Sequence, residues 1–203
     1  MWQGVSQEIN VDAPKMRLGF EINTAKQPFL FLNSQSYTYA NWGVSGQIFL
    51  PLSKKRKTRF ELRLAPTVYF STFKLENPFY ITPSTPNFEA LRAYYSEARN
   101  FTEWVLNIGL VYKLPVSKNI AAYVLGNVGP MYSSFQTIRL HKGLAFSDIL
   151  GLGVFIKQAR TRYQLGVFLR HNSNASLKKP NAGHNSFGLS LGASFVSSKT
   201  KKQ

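Results

Sequence analysis

The chain has 203 residues and no cysteine, which allows about one domain and removes disulfides, thiol nucleophiles and thiolate metal sites. Apolar residues make up 44% and aromatics 14%, while charged residues reach only 17%, below the roughly 25% of soluble domains. A formal charge of +16 suits a polyanion such as anionic lipid head groups, but no basic helix or compact nucleic-acid motif is present, so nucleic acid is set aside as a partner.

No stretch approaches the ~18 continuous apolar residues of a transmembrane helix. Any membrane crossing must therefore be made by strands closed into a barrel, because lipid offers no partner to a free edge. Residues 1–15 read as an N-terminal segment. Met1-Trp2-Gln3 leads into a polar stretch with no apolar h-region, so an exported chain would be a mature or trimmed form.

From there the pattern has period 2. Met16, Leu18, Phe20 and Ile22 alternate with Arg17, Gly19 and Glu21. Ala40 to Leu50, Phe60 to Phe70 and Trp104 to Tyr112 repeat the alternation. A fifth strand, about 120–131, is ambiguous in its faces. A sixth, about 147–157, sets Leu150, Leu152 and Val154 against Gly151 and Gly153. The seventh sets Tyr163, Leu165, Val167 and Leu169 against Arg162, Gln164 and Arg170. The eighth sets Phe187, Leu189 and Leu191 against Gly188, Ser190 and Gly192.

Eight strands of roughly ten residues match the length that crosses a tilted bilayer path. Short connections at 51–58, 113–119 and 158–161 alternate with longer ones at 24–36, 71–101, 132–146 and 174–184. That is the asymmetry of short periplasmic turns and long outer loops. The expected fold is all-β: an eight-stranded antiparallel transmembrane β-barrel, one domain over 1–203 with a basic tail at 197–203. Within 71–101, Phe88, Leu91 and Tyr95 suggest a short helix.

Arg17, Glu21, Arg59, Glu61, Arg63, Glu103, Arg162, Gln164 and Arg170 would point into the lumen and neutralise one another there. Trp42, Trp104, Tyr112 and Tyr163 suit interfacial belts. The alternation is symmetric, so a soluble lipocalin-like barrel, apolar inside and polar outside, stays open as the opposite reading. Many of the cations fall in connections and tail (Lys54, Lys55, Arg56, Lys57, Lys178, Lys179, Lys199, Lys201, Lys202).

Three histidines occur: His141, His171 and His184. They are dispersed and no carboxylate cluster accompanies them, so neither a metal nor another cofactor is expected. His171 and Ser173, two apart on strand seven, share one face with Cα atoms about 6.6 Å apart. That pairing can activate a serine hydroxyl, whose proton the imidazole takes during attack. Their parity matches Leu165 and Leu169, which places them on the lipid wall near the outer rim. Asn185, at the start of strand eight, faces the same way and can orient the imidazole through its other nitrogen. Asp148, at the outer start of strand six, shares that face and is a second candidate to support the ring. His184 faces the other way and reads as a loop histidine.

The stretch His171-Asn172-Ser173-Asn174-Ala175, then Lys179-Pro180-Asn181-Ala182-Gly183, then Gly188 and Leu191-Gly192 to Phe195, resembles the C-terminal signature of PagL-type lipid A 3-O-deacylases. The resemblance covers about the last 30 residues. It implies an outer-membrane barrel that removes an ester-linked acyl chain from lipid A, with lipid A or lipopolysaccharide as substrate. It makes Ser173 the nucleophile and His171 the base. Asn174 would help hold the oxyanion with loop amides, and Asn181 and Gly183 would shape that loop. Lys178 and Lys179 could meet lipid A phosphates. The family's third triad member is a glutamate, and the spacing puts Asn185 in its place. A non-catalytic barrel with a structural or adhesion role is the alternative.

Overall fold

The computed structural model describes residues 15–27, 36–52 and 59–197. The N-terminal segment up to residue 14, the basic run from Lys54 to Lys57 and the tail from residue 198 lie outside them. Eight strands form: β1 (Arg17–Gln27), β2 (Tyr37–Pro51), β3 (Phe60–Leu75), β4 (Arg99–Pro115), β5 (Ile120–Ser133), β6 (Gly143–Gln158), β7 (Thr161–Ser173) and β8 (His184–Val196). Each pairs antiparallel with its sequence neighbour, and β1 pairs with β8 to close the barrel. Among the described residues no helix is long and apolar enough to cross a membrane.

The polarity of the two faces decides between the two barrel readings. Leu18, Phe20, Leu106, Leu150, Leu165 and Leu189 are exposed on the outer wall. Glu21, Arg63, Glu103, Asn127, Gln164 and Arg170 are buried in the lumen. A soluble lipocalin-like barrel would show the reverse. An apolar exterior over a polar interior suits lipid outside and charge neutralisation inside.

Each luminal acid is held by a cation. Glu21 accepts from Arg63 at 3.0 Å, Gln47 at 2.9 Å and Gln164 at 2.7 Å. Glu61 accepts from Arg162 at 2.8 Å and Lys113 at 2.6 Å. Glu103 accepts from Arg170 at 3.0 Å, Tyr39 at 2.8 Å and Ser71 at 3.1 Å. Pairing offsets the cost of burying charge. Arg59 departs from the expected inward set. It precedes β3, is exposed, and its guanidinium donates to the Tyr112 hydroxyl at 3.2 Å.

The strands run further outward than the period-2 pattern indicates: β3 reaches Leu75, β4 starts at Arg99, and β7 reaches Ser173. The reason lies inside the outer mouth. There the inward side chains turn apolar, and Tyr37, Tyr39, Phe73, Leu75, Ile81, Tyr95 and Phe101 pack into one cluster that plugs the barrel. A polar lumen facing an apolar plug breaks the alternation seen in sequence while the ladder continues. Helix α1 (Phe88–Ser96) in the connection from β3 to β4 lays Phe88, Leu91 and Tyr95 on this plug. At nine residues it is too short to stand without that packing. The faces of β5, unreadable in sequence, resolve for the same reason: its inward side mixes Tyr123, Leu125 and Met131 with Asn127.

Aromatic pairs mark the two ends of the outer wall. Trp42 stacks on Phe70 at 4.3 Å, and Trp104 lies 5.9 Å from Tyr132 toward the long-loop end. Phe60 lies 4.8 Å from Tyr112 toward the short-turn end. These are the girdles expected of a membrane barrel.

Candidate active site

β7 carries the site. Along its outer end the luminal residues Arg170 and Asn172 are buried, while His171 is exposed and Ser173 half-buried on the wall. The buried pair anchors this stretch from within. Arg170 bonds Glu103, Tyr39 and Ser147, and the Asn172 amide donates to the Tyr39 hydroxyl at 3.1 Å. The outward pair is thus carried on a strand whose other face is locked into the luminal network.

Register brings three outward side chains into one row. His171 stands opposite Asn185 on β8 and opposite Asp148 on β6. Ser173 stands opposite Phe146. The His171 Nδ1 lies 2.6 Å from the Asn185 Oδ1. An amide oxygen only accepts, so Nδ1 carries the proton and donates. The tautomer that remains leaves Nε2 with a free lone pair. Among the described residues the Ser173 hydroxyl makes no hydrogen bond, to His171 or to any other group, and Asp148 makes no hydrogen bond or ion pair.

The connection after β7 wraps the outer side of the pair. Ala175 and Ser176 both adopt left-handed backbone, with φ of 49° and 62°, and the Leu177 amide donates to the Asn174 carbonyl at 3.0 Å. This is the form of a type I′ turn, whose two central amides are left free of the turn's own bond. Asn174 holds the loop together. Its backbone amide donates to Asn181 Oδ1 at 2.7 Å, and its side-chain amide donates to the Lys178 carbonyl at 2.7 Å. The Asn181 amide in turn donates to Ser176 Oγ at 3.2 Å. The side-chain N–H groups of Asn174 are therefore spent on the loop itself.

Gly183 has φ +69°, and a Cβ there would meet the Asn172 carbonyl oxygen at 2.5 Å and His171 Cε1 at 3.2 Å. Only glycine allows the chain to pass so close behind the imidazole. Lys178 and Lys179 are exposed on the loop. His184 is the first residue of β8 rather than a loop residue. It points inward, is buried, stacks on Tyr39 at 4.4 Å and shares a hydrogen bond with Thr137 at 2.9 Å. It belongs to the plug and not to the site.

One residue escaped the sequence reading. Arg139, in the connection from β5 to β6, donates to the carbonyls of Gly183 at 2.6 Å and Ala182 at 2.8 Å and to the Tyr80 hydroxyl at 2.7 Å. The Gly183 amide donates back to the Arg139 carbonyl, and Leu140 bridges Asn181. Arg139 thus clamps the loop that sets Gly183 behind His171. Nothing in its local sequence marks this, because the partners of its side chain are distant in the chain. A shallow apolar hollow at Val44, Pro66, Trp104, Tyr132 and Leu144 runs over β2–β6 and holds none of these residues. Among the described residues no group of acids and histidines is placed to hold a metal.

A family model described as lipid A 3-O-deacylase (PagL) matches residues 85–194. A solved structure titled as the crystal structure of the outer membrane enzyme PagL superposes with a TM-score of 0.50, covering 87% of this chain and 97% of that chain at 17% identity. That likeness is one of fold. No curated protein matches the chain. The family match spans more than half of the 203 residues, from helix α1 through β8, and takes in the wall and both loops around His171. By that match the chain belongs to the lipid A 3-O-deacylase (PagL) family.

Proposed function

We propose that this protein is an outer-membrane lipid A 3-O-deacylase in which Ser173 is the nucleophile and His171 the base. The observation that carries the reading is the His171 Nδ1–Asn185 Oδ1 hydrogen bond on the lipid-facing wall. It orients the ring with Nε2 able to accept a proton, two residues from a serine hydroxyl on the same face. A site on the outer wall meets an acyl ester that stays in the membrane, and no soluble substrate has to enter the plugged lumen.

Ser173 Oγ attacks the ester carbonyl while its proton passes to His171 Nε2. The tetrahedral oxyanion is met by the backbone amides of Ala175 and Ser176, and Asn174 and Asn181 hold those amides in place. This moves the expected part of Asn174 from direct contact to support of the turn. The C–O bond to the sugar breaks as His171 returns the proton to the sugar oxygen. Water then attacks the acyl-serine, again giving a proton to His171, and releases the fatty acid with Ser173 restored. Lys178 and Lys179, exposed on the loop beside the site, are the proposed contacts for lipid A phosphates, so the pair Lys178→Ala and Lys179→Ala should raise KM with little change in kcat.

Mass spectrometry of lipid A from cells expressing wild type, Ser173→Ala and His171→Ala tests the chemistry. Wild type should remove one ester-linked chain, and both variants should leave lipid A fully acylated. Identical lipid A from wild type and Ser173→Ala overturns the serine mechanism. The amide at position 185, where the family has glutamate, is what favours a non-catalytic barrel, and fully acylated lipid A from wild type would be its signature.

A further inference from the structure

Asp148 is an anomaly of charge placement. The other acids within the described strands, Glu21, Glu61 and Glu103, all face the lumen and are each bonded to an arginine. Among the described strand residues, Asp148 is the one acid turned to the outer wall, and it is exposed there without a hydrogen bond or ion pair. A charged side chain against lipid is costly and needs a counterpart.

Register supplies the counterpart. Asp148 pairs directly with His171 across β6 and β7, while Asn185 pairs with the same histidine across β7 and β8. Directly opposed residues have Cα atoms about 4.5–5.5 Å apart, and their side chains leave the wall on the same side. The imidazole is thus flanked by an amide on one strand and a carboxylate on the other. Of the other ionisable groups nearby, Lys26 is exposed on the outer face of β1 opposite Phe187 of β8, and Lys142, Lys178 and Lys179 are exposed in the adjoining loops, so Asp148 is the sole carboxylate among them.

A triad acid performs two tasks. It fixes the tautomer and orientation of the imidazole, and it stabilises the imidazolium formed during attack. Asn185 performs the first through its 2.6 Å bond and, being neutral, cannot perform the second. We infer that the two tasks are divided between the strands flanking His171: Asn185 orients the ring, and Asp148 acts as a positioning residue that supplies the negative charge. This rests on the serine–histidine reading above.

The test uses purified wild type, Ser173→Ala, Asp148→Asn, Asn185→Glu and the double variant Asp148→Asn/Asn185→Glu in detergent with purified lipid A. Heat-modified migration confirms a folded barrel in each; Asp148→Asn is isosteric at an exposed position, so the fold is retained. Asp148→Asn should lower kcat by roughly 100-fold with KM unchanged, a smaller loss than when the amide also misorients the ring. The double variant restores a carboxylate to the other flank and should return kcat to within about threefold of wild type. A purely structural aspartate would not be rescued by a charge placed two strands away. Asp148→Asn with kcat within about twofold of wild type, or a double variant no faster than Asp148→Asn, overturns the inference. Activity in Ser173→Ala would instead overturn the serine reading itself, so the two failures are distinct.

Discussion

At Gly183 the constraint is steric. With φ at +69°, a Cβ would come within 2.5 Å of the Asn172 carbonyl oxygen, which leaves no room for a side chain. Gly183→Ala should therefore displace the loop against the His171 ring. A displacement of this kind costs on the order of 10–100-fold in kcat while leaving the barrel intact. Steady-state kinetics alongside heat-modified migration would check this, and an unchanged kcat would show that the ring does not depend on Gly183. At Ser173 and His171 the constraint is one of face. Their alternation with Arg170 and Asn172 puts the candidate pair on the outer side and anchoring on the luminal side of one strand.

At the scale of elements, β7 is held by the luminal network and the loop beyond it by a clamp from a different connection. Glu103 and Arg170 are both fully buried, and Glu103 also takes the Tyr39 and Ser71 hydroxyls. Breaking such a pair leaves an uncompensated buried charge and costs about 3–5 kcal/mol. Glu103→Gln should accordingly lower the urea midpoint of the barrel in detergent and reduce activity with it; a stability equal to wild type would refute the anchoring role. Arg139 acts on the loops through Gly183, Ala182 and Tyr80, and its guanidinium also lies 4.8 Å from the ring centre of Tyr37 in the plug. Arg139→Ala should lower kcat and speed tryptic cleavage after Lys178. Equal cleavage rates would mean that the loop is held without the clamp.

For the whole molecule, the distribution of polarity determines which solvent each face tolerates. Val167 lies on the outer wall near the middle of β7, between Leu165 and Leu169. An arginine there would meet lipid near mid-depth, and Val167→Arg should destabilise the folded barrel by roughly 2–4 kcal/mol. Denaturant titration in lipid vesicles would measure it, and a neutral effect would argue that this wall is not in contact with lipid. The plug at the outer mouth has a further consequence. Tyr37, Tyr39, Phe73, Tyr95 and Phe101 close the lumen, so the exposed His171 can be reached only from the outer wall and the loops.

The strand number, the two faces of every strand but β5, and the sharing of one face by His171, Ser173, Asn185 and Asp148 were legible in the sequence. They follow from period 2, which is a local property of the backbone. The short helix at Phe88, Leu91 and Tyr95 was legible for a similar reason, since its apolar spacing is local too. The polarity of the barrel needed the structure, because an alternating pattern reads the same from either side. So did the length of the outer strand ends, where the inward side turns apolar (Phe73, Leu75, Phe101) and the outward side polar (Thr72, Lys74, Thr102), so the pattern no longer continues that of the membrane span. Asn185 and Asp148 were already candidates beside His171; the register that sets them directly opposite it, and the clamp from Arg139, were decided only by the tertiary structure. Register and loop contact join residues far apart in the chain, and they are set by barrel closure rather than by any local preference.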